Sequence, residues 1–247
     1  MNSDNELIKR FEELHQRAIL RAVPTNSHFL SLAEQALLLG RGLFPTPRLF
    51  GGYDGAERKI ALFGYEQEWD AWDIPVMCVK VSPLKQKFAD TLTHRDFLGA
   101  IMNLGIKREL LGDIPVIENE GYVFCLDKVA DIICSELKRI KHTSVKCEIC
   151  GEIPSDALPK PVNQTLTASS ERLDLIIAEV WNLSRAEAKQ EVIAEKVFVN
   201  SKVVTDPSLQ LRPDSVVSLR GKGRFIYRGS CGVSKKGKLK ITVGLYK

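Results

Sequence analysis

The amino-acid sequence predicts an α+β protein in which helices come first, a unit of alternating strands and helices follows, and a strongly basic module closes the chain. Three observations predict it. Apolar residues recur at helical spacing between Leu7 and Ile19. From Asp73 to Ile149 the pattern runs strand, helix, strand, strand, helix, strand. The excess positive charge is concentrated from Arg172 onward, where fifteen Lys and Arg face seven Asp and Glu, while the preceding 171 residues hold twenty against twenty-four.

Composition narrows the class. The 247 residues, 44% hydrophobic and 27% charged, suffice for one to three small cores and exclude a disordered or collagen-like chain. Uninterrupted apolar stretches such as Ala36 to Leu39 fall far short of the ~20 residues a spanning helix needs, so no membrane partner is expected. The N-terminal segment carries Asp4, Glu6, Glu12 and Glu13 and no apolar core, which predicts no signal peptide and a cytoplasmic location. Six cysteines in such a chain are expected as reduced thiols.

Residues 1–57 form an N-terminal helical region and loop. Leu7, Phe11, Leu14, Ala18 and Ile19 make one helical stripe that Pro24 stops. Ser27 is the expected N-cap of a second helix through Leu39, closed by Gly40 and Gly42. Turn residues Pro45-Thr46-Pro47 and Gly51-Gly52 follow, ahead of a strand from Arg58 to Tyr65.

Residues 58–151 are expected as one domain. Its strands are Ile74 to Val81, two segments split near Asn119-Glu120-Gly121, and Thr143 to Ile149; its helices are Arg95 to Leu104 and Val129 to Ile140. That order is ferredoxin-like, the arrangement that also underlies RNA-recognition motifs. Only Tyr122 and Phe124 could serve as stacking aromatics on its central strands. Cys147 and Cys150 form a lone C-x-x-C near His142; without a second ligand pair a structural zinc is not expected, and the alternation of Val145 to Ile149 puts the two thiols on opposite strand faces.

Residues 152–169, with Pro154, Pro159 and Pro161 among polar residues, read as a linker. Residues 170–247 follow. Leu173, Ile176, Ile177 and Val180 define a short helix with Arg172 facing outward at its start. Ser184 and Glu187 form a capping box for a second helix, whose Ala188, Val192 and Ile193 face inward while Arg185 and Lys189 share the other surface. Two helix starts, each beside an arginine, present unsatisfied N–H groups to phosphate oxygens. Short β-branched runs then lead to Arg220-Gly221-Lys222-Gly223-Arg224, where glycines allow close backbone approach. Such contacts position a protein on folded RNA by shape and charge.

These residues resemble a known module. Ser170-x-Arg172-Leu173-Asp174, Ser184-Arg185-x-x-Ala188 and Val197-Phe198-Val199-Asn200 with Val203 are similar to the S-four RNA-binding domain, named after a small-subunit ribosomal protein and built on an αL motif. Upstream, Gly51-Gly52-Tyr53, Ala56-Glu57-Arg58-Lys59, Leu92-Thr93-His94-Arg95-Asp96-Phe97-Leu98-Gly99-Ala100, Leu104-Gly105-Ile106-Lys107-Arg108 and Gly112-Asp113-Ile114 resemble the bacterial YlmH family, as does Arg220 to Phe225. The resemblance implies a middle RNA-recognition-like domain followed by the S-four domain. It further implies binding to rRNA of the large ribosomal subunit and to P-site peptidyl-tRNA on the ribosome, while a stalled chain gains a C-terminal tail in ribosome-associated quality control. Two positions depart from the S-four pattern: Glu195 and Ser201 stand where glycine is usual. A type I′ hairpin at Asn200-Ser201 would cost about 1 kcal/mol at Ser201.

The expected RNA-binding residues are Arg172, Ser184, Arg185, Lys189, Lys202, Arg220, Lys222 and Arg224. Arg58, Lys59, Lys107 and Arg108 offer a second contact, or else a turn and a solvated helix end. No catalytic, metal-binding or cofactor-binding residue is expected, and the chain is expected to be monomeric. His94-Arg95-Asp96 lacks the asparagine that a kinase loop places five residues after the aspartate, because position 101 is Ile, and suits a helix cap at Thr93. The enzyme alternative is an RNA-modifying enzyme of pseudouridine-synthase type that uses the S-four domain to deliver its substrate.

Overall fold

A computed structural model describes residues 3–65, 69, 73–151, 153, 158, 160–234 and 237–246. The chain divides into two compact units, Met1–Leu158 and Pro159–Lys247.

In the first unit, helix α1 (Ser3–Arg21) buries Phe11 and Ala18 and packs Leu7 and Leu14 around them, as its stripe dictates. Helix α2 (Leu32–Leu39) starts later than expected. Its cap is Ser31, because Ser31-x-x-Glu34 closes a reciprocal capping box: the Ser31 N–H donates to Glu34 Oε2 at 2.6 Å. Ser27, the expected cap, is instead buried and accepts the Ala61 N–H through its hydroxyl at 2.8 Å.

Strands β1 (Thr25–Asn26), β2 (Arg48–Phe50) and β3 (Ile60–Phe63) form a small antiparallel sheet in the order β1-β3-β2. The strand expected to open the middle domain at 58 thus pairs with the N-terminal region, for all four residues of β3 are buried and need cover on both faces. Ile60 and Leu62 share a cluster with Phe29, Trp69 and Leu126.

The middle domain comprises β4 (Val76–Pro83), α3 (His94–Met102), β5 (Val116–Ile117), β6 (Glu120–Leu126), α4 (Asp127–Glu136), β7 (Arg139–Ile140) and β8 (Thr143–Ile149). The strands lie in the order β5-β6-β4-β8-β7, with every neighbouring pair antiparallel. Leaving aside the short edge strand β7, this is the ferredoxin-like arrangement. Phe97 and Ile101 from α3 and Val129, Ala130 and Ile133 from α4 cover one face of the sheet, against Val79, Val81, Val123 and Val145. Helix α4 stops at Glu136, short of Ile140, because Arg139 and Ile140 pair back onto Ser144 and Thr143 through a tight turn with Lys141 at φ 52°.

The other face of the sheet is also covered. Tyr122 and Phe124 are 2% and 1% exposed, beneath Tyr53, Cys150, Ile153 and Leu158. The Tyr53 ring lies 4.8 Å from that of Phe124. Gly52, at φ 93°, permits this contact, since a Cβ there would sit 2.3 Å from the Phe124 ring. The two aromatics are therefore core residues and offer no platform for stacked bases. Cys147 and Cys150 fall on opposite faces, as the alternation requires.

Thr93 and Asp96 cap α3, with the Thr93 N–H donating to Asp96 Oδ2 at 2.8 Å. Hydrogen bonds from Lys141 and Thr93 hold the Asp96 carboxyl down at about 2. Its folded value lies below the ordinary one, so its contribution to stability is complete above the usual carboxylate range and fades as pH falls toward 2. An NMR titration of the Asp96 carboxyl is expected to give a midpoint near 2; an ordinary midpoint would contradict the contact.

In the second unit, helices α5 (Leu173–Trp181) and α6 (Arg185–Ile193) pack on one face of a six-stranded antiparallel sheet. Its strands are β9 (Pro161–Ala168), β10 (Val197–Val199), β11 (Lys202–Val203), β12 (Ser215–Leu219), β13 (Gly223–Val233) and β14 (Leu239–Tyr246), in the order β11-β10-β12-β13-β14-β9. Strand β9 lies in the segment expected as a linker. It is an edge strand stapled to the whole length of β14, and Pro161 is its first residue, where the missing N–H costs nothing. Of the rest of that expected linker, 152, 154–157 and 159 lie outside the described residues. Ile193, expected inside, is 49% exposed because α6 ends there, while Ala188 and Val192 are buried.

Asn200 and Ser201 both adopt the left-handed region, at φ 50° and 63°, and Glu195 does so at 57°. The hairpin is thus the type I′ turn, with Asn200 and Ser201 carrying its strain and Glu195 that of the helix end. Ser201→Gly and Glu195→Gly are each expected to stabilise the protein by about 0.5 to 1 kcal/mol in urea unfolding. A loss of stability in either variant would contradict the assigned turns.

Candidate nucleic-acid interface

The C-terminal cations are organised by a residue that sequence periodicity places nowhere in particular. Asp174 is 1% exposed at the start of α5, and both Arg172 and Arg185 converge on it. Arg172 donates through Nε at 3.0 Å and Nη2 at 2.9 Å, a two-point grip that fixes its plane. Arg185 Nε lies 3.6 Å from the same carboxylate. Arg172 immediately precedes α5 and Arg185 opens α6, so this single carboxylate ties the beginnings of the two helices together. The link between the helices is short because Asn182 ends α5 in the left-handed conformation at φ 51° and Ser184 at once caps α6.

The α6 cap is reciprocal, with the Glu187 N–H donating to Ser184 Oγ at 3.2 Å and the Ser184 N–H to Glu187 Oε2 at 2.8 Å. Hydrogen bonding to Ser184 lowers the Glu187 carboxyl, and the charge of Lys222, in the β12–β13 turn, lowers it further. The Arg220 N–H donates to the Lys196 carbonyl at 3.0 Å and anchors that turn just beyond α6. Lys189 is exposed one turn after Arg185. Lys202 pairs with Val199, which packs into the core beneath the helices, so Lys202 shares the helix-bearing side of the sheet.

Arg224 does not join this group. It alternates with buried Phe225 and pairs with Ser218, which places it on the face turned away from the helices, where its guanidinium lies 4.1 Å over the Tyr246 ring. Asp174 enters the sequence reading only as part of the S-four motif, without its role as the acceptor for the two arginines. The Arg172-x-Asp174 spacing was the available signal for that role. Of the remaining tail cations, Lys235, Lys236 and Lys247 lie outside the described residues.

The second expected contact separates into different roles. Arg58 donates from Nε to the Leu111 carbonyl at 3.0 Å and from Nη2 to the Phe29 carbonyl at 2.8 Å. Arg108 donates from Nη1 to the Leu111 and Gly112 carbonyls at 2.7 and 3.0 Å. Burial, reinforced by Arg58, pushes Arg108 down to about 10. Asp113 accepts from Tyr53 Oη, the Glu57 N–H and the Arg58 N–H, fastening the glycine loop to the domain. Both arginines therefore brace backbone, whereas Lys59 is half-buried and Lys107 exposed.

Burial pushes the thiols of Cys78, Cys125 and Cys147 up to about 12, far from the range of a reactive thiolate. Among the described residues no group of three His, Cys, Asp or Glu side chains is placed to hold a metal ion, and no helix is long and apolar enough to cross a membrane.

Fold and site together define an RNA-binding protein with a ferredoxin-like unit and an S-four module, and comparison with known proteins gives the family. A model described as the putative RNA-binding domain in YlmH matches residues 70–151, and the S4 domain matches residues 171–217. The ribosome-associated protein quality control protein P2 of Bacillus subtilis is 32% identical over 197 residues, covering 78% of this chain and 75% of the relative. A solved structure, the cell division protein ylmH from Streptococcus pneumoniae, superposes with a TM-score of 0.47 at 21% identity, covering 61% of this chain and 92% of that one. The chain belongs to the YlmH family of S-four-domain RNA-binding proteins.

Proposed function

We propose that this protein is a noncatalytic, monomeric factor of the bacterial cytoplasm that binds the large ribosomal subunit. In this reading it contacts rRNA and the P-site peptidyl-tRNA and supports C-terminal tail elongation in ribosome-associated quality control. The observation that carries the reading is the Asp174 node, which holds Arg172 and Arg185 at adjoining helix starts beside Lys189 and Lys222. A guanidinium fixed at two points, with a second arginine drawn to the same carboxylate and exposed lysines nearby, suits phosphate oxygens on a contoured backbone. The name of the Bacillus subtilis relative supports the ribosomal setting. Arg172, Ser184, Arg185, Lys189, Lys202, Arg220 and Lys222 form the proposed surface, and Arg224 is assigned to the opposite face.

The test is sedimentation of the purified full chain with stalled large subunits that carry peptidyl-tRNA, followed by footprinting of the rRNA. Cosedimentation with protected rRNA and tRNA backbone is expected; a protein left in the supernatant at low ionic strength would overturn the reading. Nucleoside analysis of the incubated rRNA is expected to show no change. A modified base that depends on one acidic residue would replace the noncatalytic reading with that of an RNA-modifying enzyme.

A further inference from the structure

A cleft of about 540 Å³ opens on the helix-bearing side of the ferredoxin-like sheet, between α3 and the corner that joins α4 to β7. Arg95, Gly99 and Asn103 line one wall at helical i, i+4 and i+8 spacing. Glu136, Leu137, Lys138, Arg139 and Lys141 form the other, so four cations face two carboxylates, and one of these, Asp96, is already held by Lys141 at 2.7 Å. Arg95, Lys138 and Arg139 are exposed, and among the described residues none has a carboxylate within ion-pair distance.

Two features of α3 run against helix stability. Arg95 puts a cation in the first turn, at the positive end of the helix, where acids are favoured. Gly99 sits inside the helix although glycine is among the poorest helix formers, and a Cβ built on it meets nothing within 4 Å. At Gly52, Gly112 and Gly121 the same Cβ would strike an aromatic ring, so packing explains those glycines and leaves Gly99 unexplained. What Gly99 does provide is a bare stretch on the α3 wall, one turn from Arg95 and across from Lys138 and Arg139, against which another backbone can lie closely. The opposite face of the sheet is sealed over Tyr122 and Phe124, so bases cannot stack there.

We infer that the cleft between α3 and the α4–β7 corner is a second RNA site, which holds the sugar-phosphate backbone through Arg95, Lys138 and Arg139 with Gly99 on its α3 wall. The inference rests on the RNA-binding reading above and extends it to a surface separate from the C-terminal module. Recognition there is of phosphates in structured RNA, without sequence preference.

The test measures binding of the full chain to an in vitro transcript of large-subunit rRNA over a range of salt. Replacing three cations, Arg95→Gln with Lys138→Gln and Arg139→Gln, is expected to flatten the log–log salt slope by about 2 to 3. Gly99→Gln is expected to raise Tm and still weaken binding at every salt concentration, a combination that damage to the fold cannot produce. Arg185→Glu with Lys189→Glu serves as the comparator. Wild-type affinity and slope in both cleft variants, with weakened binding in the comparator, would overturn the inference and leave the C-terminal reading standing. A wild-type protein without affinity for the transcript would overturn both. A triple variant that keeps the wild-type slope but no longer sediments with ribosomes would show that the cleft takes an acidic protein surface, which also overturns it.

Discussion

Arg185→Glu and Lys189→Glu together are expected to release the protein from large ribosomal subunits while leaving it folded. Both side chains are exposed on α6, and the residues that build the helix, the Ser184–Glu187 cap and buried Ala188 and Val192, are untouched. Arg172 still satisfies Asp174 at two points when Arg185 is lost. Each lost phosphate contact flattens the salt slope by about one, and the introduced carboxylates add repulsion, so affinity for rRNA should fall by about ten- to a hundredfold near physiological salt. Circular dichroism is expected to stay close to wild type, with a modest fall in Tm because the Arg185 half of the Asp174 tie is lost. Unchanged cosedimentation of the double variant would show that RNA lies on another surface.

Asp174→Asn is expected to cost about 2 to 3 kcal/mol of stability and also to weaken RNA binding in the protein that remains folded. The carboxylate is buried, and the asparagine amide keeps its shape while losing the charge that attracts two guanidinium groups. Arg172 then has a single neutral acceptor in place of the two-point grip, and the helix starts lose their common tie. Asp174 acts through the arginines, so its effect on RNA should be coupled to theirs. A double-mutant cycle with Arg172→Gln separates this from general loosening, and a coupling of at least about 1 kcal/mol in unfolding is expected. Additive effects would show that the Arg172–Asp174 pair organises nothing.

The sequence made the middle domain legible because its signals are local. Near-continuous apolar runs at 76–83 and 120–126 and an alternating one at 143–149 are interleaved with helical stripes, and the ferredoxin-like strand order follows from that succession. What it did not disclose depends on partners distant in the chain. Strand β9 carries mostly exposed polar side chains and owes its conformation to the backbone ladder with β14, some eighty residues later. Tyr122 and Phe124 have the position of base-stacking aromatics, and only folding of the Tyr53 loop and of Cys150, Ile153 and Leu158 over them makes them core.

The proposed surface divides in the same way. Ser184, Arg185 and Lys189 followed from a capping box and an i, i+4 spacing, both local features. Arg224 was grouped with Arg220 and Lys222 by adjacency in sequence, yet strand alternation turns it to the other face. Asp174 is charged and lies within a helical segment, where composition gives no sign of burial; its role appears only when Arg172 and Arg185 are seen around it. Arg58 and Arg108 looked equally free, but backbone carbonyls at Phe29, Leu111 and Gly112 claim them.

The most direct measurement is a salt titration of the full chain against large-subunit rRNA. With about five phosphates neutralised by the C-terminal cations, the log–log slope should be roughly −3.5 to −4.5, and steeper where the α3 cleft also engages. A slope near zero, or no binding at low ionic strength, would contradict a protein that grips RNA by its phosphates.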